Sequence, residues 1–170
     1  EGIKMERIIC LAIGYLFGMF QTSYIIGKIH HMDIRQYGSG NAGTTNALRT
    51  LGKKAGAMTL IGDMLKCVIA ILIVDAVFKN RYQEILPLLG MYTAAGCVLG
   101  HNFPFYLGFR GGKGIAASAG MLLAMDWRVF LICAVIFIGL VAITRYVSLG
   151  SMAAYVGAVS YTHLRAHETG

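Results

Sequence analysis

Two polar segments rich in glycine carry residue types suited to holding a phosphate. Residues 38–49 read GSGNAGTTNALR, with Gly38, Gly40 and Gly43 interleaved among Ser39, Asn41, Thr44, Thr45 and Asn46 and closing on Arg49. Glycine lets backbone N–H groups turn toward a ligand, hydroxyl and amide side chains add donors, and Arg offers a two-pronged grip on an oxyanion. The pattern predicts an anion cradle opening into a helix that starts near Thr44 or Thr45, where the helix dipole favours negative charge. A glycine-rich turn with an ordinary helix cap is the plainer alternative.

Residues 100–118 read GHNFPFYLGFRGGKGIAAS, a second glycine-rich loop in which Gly111, Gly112 and Gly114 flank Lys113. A nucleotide-binding P-loop would need GxxxxGK followed by Ser or Thr. Here Gly114 follows Lys113 and Leu107 stands where the first glycine should be, so that motif fails while the phosphate chemistry survives. Lys113 can act as a point charge on a phosphate, or simply as a cationic membrane anchor. His101 can be a general base, a phosphate ligand or a satisfied structural group. A third polar stretch, Arg145 to Ser151, brings Ser148, which either completes a site or caps a helix.

The elements that position these residues follow from composition. Of 170 residues 56% are apolar or aromatic and 14% are charged, with a mean hydropathy of +0.63. Ordinary soluble domains hold roughly 45–50% and about 25% respectively, so most of this surface must face hydrocarbon. An all-α, polytopic membrane bundle of about six helices is predicted. Apolar runs long enough to span extend from Arg7 to Gly27, from Ala55 to Phe78 and from Trp127 to Thr144. Shorter runs from Ile85 to Gly100, Gly114 to Met125 and Leu149 to Ser160 predict tilted or partial spans buried among neighbours. Cys10, Cys67, Cys97 and Cys133 each sit in an apolar run without metal or disulfide spacing and are read as small packing residues.

If spans alternate, the two glycine-rich loops share one side of the membrane. That side carries Lys28, Arg35, Arg49, Lys53, Lys54, Arg110, Lys113 and Arg145, against Lys4, Arg7, Lys79, Arg81 and Arg128 opposite. The positive-inside bias therefore places both loops in the cytoplasm, and explains the net charge of +7 without nucleic acid. Asp63 and Lys66 lie three apart inside an apolar span, on one helix face, and are read as a buried ion pair that positions the loops. Residues 160–170, SYTHLRAHETG, break the apolar pattern in mid-helix. They are expected to be a non-native tail after a domain at 1–159, with no metal role for His163 and His167.

In order and approximate spacing, SGNAGTTN with Arg49, the Asp63 and Lys66 pair, GHNFPFYLGFRGGKGIA and YVSLGS resemble the bacterial membrane acyl-phosphate:glycerol-3-phosphate acyltransferase family, often called PlsY. The resemblance covers residues 7 to about 159. It implies a multi-span inner-membrane enzyme that moves an acyl group from acyl phosphate to the 1-hydroxyl of glycerol 3-phosphate, releasing lysophosphatidate and phosphate, with no cofactor and no metal. The family does not rely on an HxxxxD motif, and here Arg35, Gln36 and Tyr106 stand five residues after His30, His31 and His101. Carried over by motif, Ser39, Gly40, Asn41, Gly43, Thr45, Asn46 and Arg49 surround one phosphate. Lys113, Gly111, Gly112 and Gly114 help hold phosphate, with His101 and Ser148 as further binding residues and Ser39, Arg49 and Lys113 as the catalytic set. The family continues into a third motif whose histidine and asparagine help bind glycerol 3-phosphate, and that motif does not map onto SYTHLRAHETG. The acceptor site is therefore expected to lack one wall. The alternative from another class is a small phosphate or anion channel.

Overall fold

The computed structural model describes the backbone of residues 2–168 and the side chains of residues 4–165. Among them it is all-helical and divides into two compact units, Glu1–Ala124 and Met125–Gly170. The first unit holds α1 (Gly2–Gly18), α2 (Thr22–Ile29), α3 (Thr44–Leu51), α4 (Lys53–Phe78), α5 (Leu86–Asn102) and α6 (Ile115–Met125, whose last residue falls to the second unit). Single 3-10 turns at Ile34–Gln36, Gln83–Ile85 and Phe105–Leu107 shape its loops. The second unit is a hairpin of α7 (Trp127–Thr144) and α8 (Val147–Glu168).

Lys4–Ile29, Lys53–Phe78 and Trp127–Thr144 are long and apolar enough to cross a membrane, while Ile115–Met125 is a shorter apolar helix. This is a multi-pass membrane protein. The chain departs from the expected single span at 7–27, because Met19–Gln21 breaks it into α1 and α2. Irregular backbone at membrane depth survives only where its polar groups are satisfied internally. Here they are. Lys66 Nζ donates to the carbonyls of Gly18 (2.9 Å) and Phe20 (2.7 Å), and the Tyr106 hydroxyl donates to that of Met19 (2.6 Å).

α1 and α5 pack at backbone contact through paired glycines four apart. A Cβ at Gly14 would strike the Thr93 carbonyl, and one at Gly96 or Gly100 would strike the carbonyls of Leu11 or Tyr15. Small residues at this spacing let two helices approach closely where lipid gives no hydrophobic drive. Gly120 of α6 meets the Met64 carbonyl of α4 in the same way. Cys67, Ile71, Ala94, Cys97 and Ala117 fill the space between α4, α5 and α6, and all four cysteines are buried and unbridged.

Within the second unit, Asp126 caps α7 by accepting from Arg128 N (3.0 Å) and pairs with Arg165 Nη1 (2.5 Å). The hairpin turns at Arg145, whose φ is +59°. α8 runs unbroken through the polar residues 160–168, where the apolar pattern stops. Helix continuity needs propensity rather than hydrophobicity, and YTHLRAHE contains no glycine or proline to end it. The side chain of His167 lies outside the described residues.

Candidate active site

The first loop is organised by Asn46, which is 2% exposed in the first turn of α3. Its Nδ2 donates toward the carbonyls of Asn41 (2.9 Å), Tyr37 (3.0 Å) and Ile34 (3.2 Å). Its Oδ1 accepts from Ser39 N (3.1 Å) and Thr50 Oγ1 (3.3 Å). An amide offers two donors and one acceptor oxygen, so this one is wholly committed to the loop. Asn46 therefore shapes the first loop, with its amide hydrogens directed at loop carbonyls. Gly38, at φ +55°, lies so close to Asn46 Oδ1 that no side chain fits there.

The second loop folds back on the end of α5. Gly111 N donates to Asn102 O and Gly112 N to His101 O, each at 3.0 Å. A Cβ on Gly111 would strike the His101 carbonyl, and one on Gly112 would strike the His101 ring at Nε2. The N–H groups of these two glycines bond to the helix end, and both glycines pack closely against His101. Gly114, at φ +78°, turns the chain into α6, and its carbonyl accepts from Ser118 N (2.9 Å).

The two loops meet. Ala42 N donates to Gly111 O at 3.4 Å, and Arg35 Nη1 donates to Leu107 O at 2.7 Å. Arg35 is itself paired with Asp33 at 2.7 Å and lies over the Tyr24 ring at 5.3 Å. Hydrogen bonding from that guanidinium holds the Asp33 carboxyl below the ordinary carboxylate range.

With the frame assembled this way, Ser39, Arg49 and Lys113 remain exposed, and their side chains make no hydrogen bond or ion pair among the described residues. Asn41 and Thr45 are partly buried. The Thr44 hydroxyl is buried and unbonded at the start of α3, which begins where the spacing predicts. Three cations, Arg49, Arg110 and Lys113, and several polar groups are thus unspent around the two loops among the described residues. Ser148 belongs to the second unit, where it is exposed in the first turn of α8.

Asp63 and Lys66 pair at 3.3 Å and are 1% and 4% exposed. Lys66 Nζ also lies 2.7 Å from His101 Nδ1, and Thr22 Oγ1 donates to Asp63 Oδ1 at 3.1 Å. Gln21, fully buried, donates from Nε2 to His101 O at 2.7 Å. Gln21, Thr22, Arg35 and Tyr106 were not among the site residues expected from sequence. The first had a signal, since a glutamine amid the 7–27 apolar run must find a partner or break the span. Beside this cluster, an open apolar groove of about 490 Å³ runs between α1, the α1–α2 break and α4, along Leu16, Phe17, Phe20, Leu65 and Ile69, with Lys66 at its wall.

Helices satisfied from within and two cationic loops tied edge to edge define an integral membrane protein that gathers exposed basic residues at one end. The chain belongs to the glycerol-3-phosphate acyltransferase family, which it matches over residues 8–167. It is 55% identical over 147 residues to the glycerol-3-phosphate acyltransferase of Clostridioides difficile strain 630, covering 85% of this chain and 71% of that one. The enzyme of the same name from Lactiplantibacillus plantarum is 46% identical over 154 residues, covering 89% and 71%. The fold is similar to the crystal structure of PlsY, an integral membrane glycerol 3-phosphate acyltransferase, in its glycerol 3-phosphate form. There the TM-score is 0.81 at 34% identity, over 94% of this chain and 77% of that one. The lysophosphatidic acid form of PlsY gives 0.79 at 33% identity, over 94% and 76%.

Proposed function

We propose that this protein transfers an acyl group from acyl phosphate to the 1-hydroxyl of glycerol 3-phosphate, giving lysophosphatidate and phosphate. Family membership supports acyl transfer to glycerol 3-phosphate over the channel alternative. The observation that carries the site is the contact between two glycine loops that leaves Arg49 and Lys113 unpaired. Two phosphorylated substrates need two cationic grips, and these residues supply one to each loop.

In this reading Ser39, Asn41, Thr45 and Arg49 line the first loop around one phosphate, and Lys113 serves the other. The glycerol hydroxyl oxygen attacks the acyl carbonyl carbon, the bond from that carbon to the phosphate oxygen breaks, and phosphate leaves carrying the electron pair. A phosphate oxygen of a substrate takes the hydroxyl proton. The cation that grips acyl phosphate stabilises the charge that develops on its phosphate as it departs. Acyl phosphate is an activated donor, so positioning supplies much of the rate and no acyl-enzyme is needed. The acyl chain lies between helices, where each buried methylene contributes about 0.8 kcal/mol, and the open groove along α1 and α4 has an apolar lining suited to it. The loops face the cytoplasm from the inner membrane.

The test is conversion of labelled glycerol 3-phosphate to lysophosphatidate by membranes carrying this chain, with acyl phosphate or acyl-CoA as donor. Turnover with acyl phosphate alone, lost in Lys113→Ala, is the expected result. Equal turnover by Lys113→Ala, or dependence on acyl-CoA, would overturn the proposal.

A further inference from the structure

The buried Asp63, Lys66 and His101 cluster has no task in the reaction just proposed. Burying charge at this depth is costly, and the groups around Lys66 show what the cost supports. Its ammonium lies within reach of four acceptors: the carbonyls of Gly18 and Phe20 at the α1–α2 break, Asp63 Oδ1, and His101 Nδ1. An ammonium only donates. His101 Nδ1 must therefore offer its lone pair, which places the ring hydrogen on Nε2.

Nε2 is the ring nitrogen against Gly112, so close that no side chain could stand at that position. The backbone carbonyl of the same histidine accepts from Gly112 N and from Gln21 Nε2. His101 is thus the surface on which the second glycine loop rests, and Lys66 sets the angle of its ring. The charged groups facing it come from α4: Lys66, and Asp63, whose Oδ2 is 4.0 Å from Nδ1. The break contributes neutral Gln21, the second loop contributes Gly111 and Gly112, and the thiol of Cys97 lies one turn back on α5.

We infer that Lys66 is a positioning residue for the second glycine loop: it closes the α1–α2 break and fixes His101 as the Nε2–H tautomer beneath Gly112, the neighbour of Lys113. His101 then cannot serve as a general base, because Nδ1 is covered by the ammonium and Nε2 already holds a hydrogen. The effect on turnover rests on the acyltransferase reading; the tautomer does not.

The chain has five histidines, so nitrogen-15 histidine NMR of the full chain in lipid nanodiscs can resolve this one, assigned by its loss in His101→Gln. The expected spectrum has one histidine that stays neutral and Nε2-protonated from about pH 5 to about pH 8. In the charge-neutral double variant Asp63→Asn/Lys66→Met, which takes the ammonium away from Nδ1 while the ring stays buried, that histidine should lose its exclusive Nε2–H signal and populate the Nδ1–H tautomer as well. Turnover should fall about a hundredfold, together with a change of tautomer that a merely structural role would not produce. An Nδ1-protonated or imidazolium signal for His101 in the wild type, or an unaltered signal in the double variant, overturns the inference. Should either variant fail to fold, the wild-type spectrum decides, because a set of histidines that all titrate, or that lacks an Nε2–H member, overturns it too.

Discussion

In the first glycine loop the organising group is a side chain: one amide, Asn46, bonds to four stretches of backbone between Ile34 and Asn41 and leaves the loop's hydroxyls and Arg49 outside. In the second loop the organising group is backbone. Gly111 and Gly112 lie flat on His101 and the end of α5, and Lys113 projects from that platform. The same kind of composition, glycine with exposed cations, is thus built in two ways. A loop held by a side chain should fail when that chain is shortened, and a loop held by close approach should fail when a methyl group is added.

The largest effect should come from Asn46→Ala, which strips the carbonyls of Ile34, Tyr37 and Asn41 and the Ser39 N–H of their shared partner. Each buried group left unpaired costs about 1–3 kcal/mol, and displaced substrate contacts cost about a hundredfold in rate. Thermal unfolding in detergent together with turnover would show both losses; retention of either would mean that Asn46 is not the organiser.

Next, Gly112→Ala should push the second loop off the His101 ring and reduce turnover by more than tenfold, about 1.4 kcal/mol in the barrier. Gly108→Ala is its control. Gly108 has a φ of +63° but open space around it, so only the backbone penalty of about 1–2 kcal/mol applies and turnover should persist. Equal losses in the two variants would show that close packing on His101 is not what distinguishes the second loop.

Smaller again is the exchange of cations. Arg49→Lys removes a planar fork and should lower kcat/KM about tenfold, whereas Lys113→Arg keeps the charge and should cost less. Steady-state kinetics on both would reveal whether the loops grip phosphate differently, and a reversed order would exchange their roles.

The smallest effect concerns the Arg35 strut between the loops. Its partner Asp33 has a lowered carboxyl pKa, so the pair's contribution is present above the unfolded value of 3.8 and is lost as pH falls through the lower folded one. Asp33→Asn should therefore remove part of the acid sensitivity of unfolding below about pH 4 and leave neutral turnover close to wild type. An unchanged acid profile would mean that the strut adds nothing to stability.

Much of this was legible in the chain itself. The all-helical membrane class, the three long spans, the start of α3 at Thr44 and the common side of the two loops follow from apolar run length, charge placement and glycine spacing. These are local properties, set by how far 1.5 Å per residue must run to cross hydrocarbon and by which residues tolerate a turn. Hidden were the α1–α2 break and the division of labour inside the glycine loops. Asn46 and Ser39 look alike as hydrogen-bonding residues in one motif, yet one is consumed and the other is free. Residue type states what a group can bond to. Only the packing of α1, α4 and α5 decides what it does bond to, because buried donors and acceptors are claimed by whichever distant partner the fold brings within 3 Å, as Lys66 is claimed by Gly18, Phe20 and His101.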